Sequence, residues 1–467
     1  MKTNSLNDLF SDIFIFVIGT VLAKVIQFVL LPLYTSYMTT DTYGVAELVN
    51  NLSELFLPII SLCLYDAVLR FTVEKKNNSI VISSAMKVLT ISFLISVPIL
   101  FLIYLFWTLS YVLLFGFIVY AYSIQRLFSC YVRGKGYSKI YALSGAVNAV
   151  FVAFFSGFFL VIKNFKVEGY LLAIALGYVL SAIYLFISGK IYKDIKMDNI
   201  STQVINEMIR FSTPLIPFNI MYFFLTLAGR YILLWESGEE AVGLYSAAIK
   251  IAAIVNVFQQ AVSTALQLNV SREYTSQNKE KYYSYVFDLF HSGYWTIASW
   301  VMCLCPLLAK LLLRNEFYSA RIYLPLILIA AILNCISAMY GTMFQAYKLT
   351  NKNVPIVGVG MLINITVCLI LVPRYEIWGV CVASVISYLS QVVMKIKSIN
   401  SLCKIEYKRK TMIVFPGMVV VQVVATMISS NIYMYLVLSI IALWETQYFI
   451  HIYYKELKRN ISLRTVR

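Results

Sequence analysis

A chain of 467 residues in which 60% of side chains are hydrophobic and only 13% charged is too apolar for a soluble globular protein, where about 25% are charged. Its formal charge of +16 comes from Lys and Arg that fall mostly between apolar runs, as in the cytoplasmic loops of a membrane protein, so no nucleic-acid partner is needed to explain it. A bilayer core of ~30 Å needs about 20 apolar residues per helix, and such runs recur along the whole chain.

In chain order the predicted spans are Ile13 to Tyr34, Gly44 to Leu69, Ser84 to Trp107, Leu109 to Tyr131, Ile140 to Ile162 and Gly169 to Gly189. The longest hydrophilic interruption follows, "KIYKDIKMDNISTQVINEMIR", Lys190 to Arg210. Spans then resume at Phe211 to Trp235, Val242 to Val270, Tyr285 to Leu313, Ile322 to Tyr347, Val354 to Val372 and Trp378 to Val393. Thr411 to Ser429 and Ile432 to Tyr454 complete a set of about 14 transmembrane helices in an all-α integral membrane protein. The expected organisation is an N-terminal six-helix lobe over 1–189, a cytoplasmic linker over 190–210, a second six-helix lobe over 211–395, and two additional helices with a cytoplasmic tail over 396–467.

Basic residues set the expected orientation. Clusters such as Lys75 and Lys76, Arg126 to Lys139, Lys190 to Arg210 and Lys404 to Lys410 fall on one side if both termini are cytoplasmic, leaving only Lys163, Lys166, Arg314, Arg321 and Arg374 outside. The first apolar run follows Asp8 and Asp12 and has no small-residue cleavage site, so it is expected to stay as a span. The eight cysteines are scattered and the single close pair, Cys303 and Cys305, sits in an apolar helix, which fits small buried side chains and no metal site. His291 and His451 are expected at interfaces, and no catalytic group stands out.

The two halves echo each other. Gly169, Ala173 and Tyr178 are matched by Gly379, Ala383 and Tyr388 at a constant offset of 210; Gly44 is matched by Gly243 and Asn148 by Asn364. Two units with an even number of spans that both start inside are parallel repeats, an arrangement that predicts two lobes around a central cavity.

Several segments resemble a known family. "LPLYTSYMTTDTYGVAEL" near the start, "RFSTPLIPFNI" opening the second half and "GLYSAAIKIA" entering the eighth span are similar to bacterial oligosaccharide-lipid flippases of the multidrug/oligosaccharidyl-lipid/polysaccharide exporter superfamily. The resemblance implies alternating access and an undecaprenyl-pyrophosphate-linked oligosaccharide repeat unit as substrate, moved from the inner to the outer leaflet of the bacterial cytoplasmic membrane. O-antigen, capsule or exopolysaccharide biosynthesis would be served, with membrane lipids, a polysaccharide polymerase and a chain-length regulator as partners. It also implies no enzymatic activity and no cofactor beyond a coupling H⁺ or Na⁺. The last two helices would match a pair that lies near a lipid-tail groove in 14-span relatives.

Against that background the charged residues inside spans stand out, since an ionisable group deep in a membrane helix is costly and usually functional. Lys24, in "VLAKVIQFVL", lies eleven residues into its span, ~16 Å deep and near the midplane. With Arg230 and Lys250 it is expected to hold the pyrophosphate. Glu47, Asn51 and Glu54 share one helical face, and Gln260 and Gln267 continue a polar stripe in the eighth span; these are expected to line the cavity, with Glu54 as a candidate coupling carboxylate. Two other classes remain open: a drug or cation antiporter of the same superfamily, with a more acidic cavity, and a membrane glycosyltransferase or polymerase, which would need larger outer loops than "ESGEE" provides.

Overall fold

The computed structural model describes residues 25–26, 28–74, 77–107, 111–256, 258–259, 279–346, 350–401, 405–406, 408, 410–428 and 437–451. Among them there are no strands. The helices in chain order are α1 Leu31–Tyr37, α2 Thr40–Ile60, α3 Leu64–Glu74, α4 Asn78–Trp107, α5 Val112–Gly134, α6 Ser138–Ser156, α7 Val167–Ser188, α8 Ile191–Asp194, α9 Thr202–Ser212, α10 Leu215–Ala252, α11 Lys279–Leu312, α12 Leu324–Ala346, α13 Thr350–Asn400 and α14 Phe415–Ile428, followed by a helical stretch over 437–451. Among the described residues eight helices are long and apolar enough to cross a membrane, or nine if α2 and α3 form one bent span. Two of these eight, 202–256 and 352–400, are long enough for two crossings each, and both are broken, at Gly238 (φ 81°) and at Glu376 (φ 46°). The chain is a multi-pass, all-α membrane protein.

The second predicted span is not a straight rod. Thr39 opens it with a capping box, its hydroxyl accepting from the Thr42 amide at 3.4 Å while Thr42 Oγ1 accepts from the Thr39 amide at 3.0 Å. Pro58 then removes an amide donor near the other end, and Leu62 and Cys63 take left-handed backbone, so α2 and α3 meet at a 53° bend. Carbonyls at the bend are bonded from nearby: Ser61 Oγ donates to Leu57 O at 2.6 Å, Ser92 Oγ to Ile60 O at 2.5 Å, and the Cys63 amide to Pro58 O at 3.2 Å.

Contacts divide the chain into two compact units. The first comprises Met1–Leu234 with Gly238–Gly243, so the N-terminal part of α10 belongs with the helices before it. Its core joins Leu64, Val68 and Phe71 of α3, Val81, Ile82 and Ala85 of α4, Leu127, Phe128 and Tyr131 of α5, and Val204 and Met208 of α9. The hydrophilic segment between 190 and 210 is therefore docked. Tyr131 and Lys135 donate to Asp194 Oδ2 at 2.9 and 2.7 Å, the Lys196 amide to Ser83 Oγ at 2.9 Å, and the Ser201 amide to Ser84 Oγ at 3.1 Å. The amphipathic α9 then buries Val204 and Met208 on the same core. Along α4, Phe93, Leu94, Ile95, Phe101, Leu102 and Leu105 are exposed, an apolar surface of the kind lipid covers.

Gly44 and Gly243, paired in the sequence repeat, meet in this unit. A Cβ built on Gly44 would overlap the Glu239 carbonyl, and one on Gly243 would overlap the Thr40 carbonyl, so the two backbones touch with no room for a side chain.

The second unit comprises Trp235–Ser237 and Leu244–Arg467. Here α12 packs on α13 and α11, and the C-terminal helices are tied to α11: Ser299 Oγ donates to Glu445 Oε2 at 2.5 Å, and Trp300 Nε1 to Thr446 Oγ1 at 2.8 Å. Each unit holds a Gln–Ser bridge between two of its helices. In the first, Gln125 Nε2 of α5 donates to Ser181 Oγ of α7 at 3.4 Å; in the second, Ser337 Oγ of α12 donates to Gln391 Oε1 of α13 at 3.3 Å. Ser181 and Gln391 stand 210 positions apart, the repeat offset, and Gln125 and Ser337 stand 212 apart, so the two residue types have changed places.

Candidate functional site

The acidic face of α2 divides in two. Glu47 is 2% exposed and accepts a hydrogen bond from the Tyr170 hydroxyl. Tyr34, Tyr43 and Tyr170 pack around it with ring centroids 4.9 to 6.1 Å apart, and Tyr34 is fixed by a 3.1 Å bond to Ser156 Oγ. Asn51, one turn further on, is also buried, and its Nδ2 has no hydrogen-bond partner among the described residues. Glu54 is exposed. Three residues on one helical face thus meet different surroundings, because α7 covers one end of α2 and leaves the other open.

Arg230, in the part of α10 that belongs to the first unit, is buried, and its Nε has no partner among the described residues. It lies within electrostatic reach of Tyr43, as Glu47 does, and of Tyr231, as Glu54 does. Tyr231 donates to the Leu48 carbonyl at 3.3 Å, which holds this part of α10 against α2. Arg230, Glu47 and Glu54 therefore border one tyrosine-rich seam of the first unit. Lys250 is half-buried on the part of α10 assigned to the second unit. Lys24, Gln260 and Gln267 lie outside the described residues.

Two further cations, Arg126 and Lys395, sit well inside helices. α5 runs on to Gly134, which puts Arg126 about two turns inside its end, half-buried, with its guanidinium 5.5 Å from the centre of the Tyr65 ring. α13 continues past Val393 to Asn400, which buries Lys395 at 3% exposure; its ammonium donates to Ser337 O at 3.0 Å and to Ser337 Oγ at 2.9 Å. Glu445, fully buried beside Ser299, is a third ionisable group that sequence reasoning missed. The available signal was each residue's distance from the nearest Gly, Pro or polar run, which marks where a helix stops. Among the described residues no cluster of His, Cys, Asp or Glu is arranged to hold a metal.

Arg230 Nε and Asn51 Nδ2, each without a hydrogen-bond partner among the described residues, thus stand in the first unit with the tyrosine rings around Glu47.

Residues 9–267, more than half of the chain, match the family described as polysaccharide biosynthesis protein, and the chain belongs to that family. Residues 226–370 match the MatE family. No curated protein sequence is a significant match. Among solved structures, "Lipid II flippase MurJ, inward closed conformation" superposes with a TM-score of 0.73 at 13% identity, covering 95% of this chain and 99% of that one. A multidrug resistance MATE family transporter of the MOP superfamily, in its inward-facing conformation, gives 0.62 at 14% identity over 82% of this chain and 94% of the other. A MOP superfamily transporter from Pyrococcus furiosus gives 0.59 at 15% identity, with 84% and 96% covered. The fold is that of the multidrug/oligosaccharidyl-lipid/polysaccharide exporter superfamily.

Proposed function

We propose that the protein is a flippase that carries undecaprenyl-pyrophosphate-linked oligosaccharide repeat units from the inner to the outer leaflet of the bacterial cytoplasmic membrane, by alternating access and without covalent chemistry. The observation that carries this reading is the combination of membership in a polysaccharide biosynthesis family with a fold shared over 95% of the chain with a lipid II flippase. The physics agrees. A pyrophosphate entering a low-dielectric interior needs cations, and sugar hydroxyls need amide and phenol partners. Lys24, Arg230 and Lys250 are the proposed cations; Asn51, Gln260 and Gln267 are proposed to meet the sugar. The product would enter O-antigen, capsule or exopolysaccharide synthesis, handed to a polymerase under a chain-length regulator.

The test is reconstitution. Proteoliposomes holding the protein and fluorescent undecaprenyl-pyrophosphoryl-N-acetylglucosamine in the inner leaflet should expose the sugar to an externally added galactosyltransferase faster than empty liposomes. Equal rates would overturn the flippase reading. The match of residues 226–370 to the MatE family favours one other reading, a drug or cation antiporter. Gradient-driven ethidium efflux from the same liposomes, with no exposure of the glycolipid, would establish it.

A further inference from the structure

Arg126 is the described cation that the sequence placed least well and the structure surrounds most tellingly. It sits in the interior of α5 and makes neither a hydrogen bond nor an ion pair among the described residues, although Asp66 lies within electrostatic reach. Its guanidinium nitrogens keep accessible surface, since none of them is among the buried polar atoms without a partner. A guanidinium in a membrane helix with no acid bonded to it is either a structural anchor or part of a route for an anion.

The neighbours distinguish these roles. Tyr65 lies under the guanidinium at 5.5 Å, and Tyr122, one turn back along α5, stacks on Tyr178 of α7 with centroids 4.5 Å apart and planes 14° from parallel. Tyr122, Tyr141 and Tyr178 all lie within electrostatic reach of Arg126, as does Glu54 of Tyr122 and Tyr178. Four tyrosines from α3, α5, α6 and α7 therefore converge on one cation. The bend at Leu62 and Cys63 is what turns Tyr65 and Asp66 toward α5. A helix anchor needs one partner. Aromatic faces beside a bidentate phosphate fork are instead the two halves of sugar-phosphate recognition, ring faces for the apolar side of a sugar and paired N–H groups for the ester oxygens.

We propose that Arg126, with Tyr65, Tyr122, Tyr141 and Tyr178, forms a binding site in the first unit for a sugar phosphate or pyrophosphate, with Arg126 on the phosphate and the Tyr122–Tyr178 stack on the sugar. This rests on the flippase reading for the source of the ligand, a lipid-linked sugar, but not for its chemistry. The site adds a cation to the one on the Arg230 side of the same unit.

The experiment measures binding to the full-length protein in nanodiscs by three probes: undecaprenyl-pyrophosphoryl-N-acetylglucosamine, undecaprenyl pyrophosphate without sugar, and free N-acetylglucosamine 1-phosphate. Arg126→Leu should weaken both lipid probes at least tenfold, and Arg126→Lys should recover part of the loss. Tyr122→Leu and Tyr178→Leu should weaken the sugar-bearing probes and leave the sugarless one unchanged. Arg126→Gln, close in size to the native side chain, gives the same reading if the leucine variant fails to fold. Wild-type affinity in Arg126→Leu or Arg126→Gln, or a lowered melting temperature with affinity unchanged, would make Arg126 an anchor and overturn the site. Arg126-dependent binding of the free sugar phosphate, with no binding of either lipid probe, would keep the site and overturn the lipid-carrier reading. Absence of binding by any probe to the wild type would overturn both.

Discussion

Tyr170 donates to the buried Glu47 carboxylate, and removing that phenol leaves the carboxylate short of a donor. Tyr170→Phe should therefore destabilise the protein by about 1–3 kcal/mol, read as a lower melting temperature in detergent. Lys24 belongs to the proposed transport path, so Lys24→Ala should abolish glycolipid flipping at normal membrane levels of protein, and Lys24→Arg should keep some of it; full flipping by the alanine variant would remove Lys24 from the path. The sequence picked out the acidic face of α2 but not what each of its charges meets. Glu47 and Glu54 read alike along α2, yet one is enclosed by tyrosines from α1, α2 and α7 and the other is exposed, a difference set in part by Tyr170, 123 positions from Glu47. Arg126 was hidden for a different reason, since it lies near enough to Arg133 and Lys135 to look like part of their loop cluster.

At the scale of elements, the contact of Gly44 with the Glu239 carbonyl and of Gly243 with the Thr40 carbonyl leaves no slack, because both obstacles are backbone. Gly44→Ala and Gly243→Ala should each reduce the yield of monodisperse protein on size-exclusion chromatography. Gly157→Ala, with nothing within 4 Å of the added carbon, should not. Equal yields for all three would mean that the two backbones can separate at little cost. Most helices were legible from the apolar runs alone, because a hydrocarbon core fixes their length. The bend in the second span and the docking of residues 190–210 were not. The first depends on how the polar groups beside Pro58 are satisfied, and the second on serines of α4 that look like ordinary small residues in sequence.

For the whole molecule, the charge pattern predicts that a reporter active only in the cytoplasm works when fused after Lys139, Lys196 or Lys410 and fails after Lys166 or Glu239. Activity at the last two would reverse the proposed orientation. Energy coupling is proposed to pass through Glu54: Glu54→Gln should still bind the glycolipid but flip it at a rate independent of the proton or sodium gradient. Unchanged gradient dependence would point to the membrane potential acting on charge instead. The proposed repeat was read from scattered glycines and tyrosines, and the two polar bridges were not legible there, because Gln125 and Ser337 are unlike residues, as are Ser181 and Gln391. If the two units arose by duplication, the bond was kept with its ends exchanged while the letters drifted, and in related chains the two positions of each bridge should change together. A search for ancient gene doublings in such proteins should compare pairs of touching residues, since single positions compared one by one will miss kinship that the pairs retain.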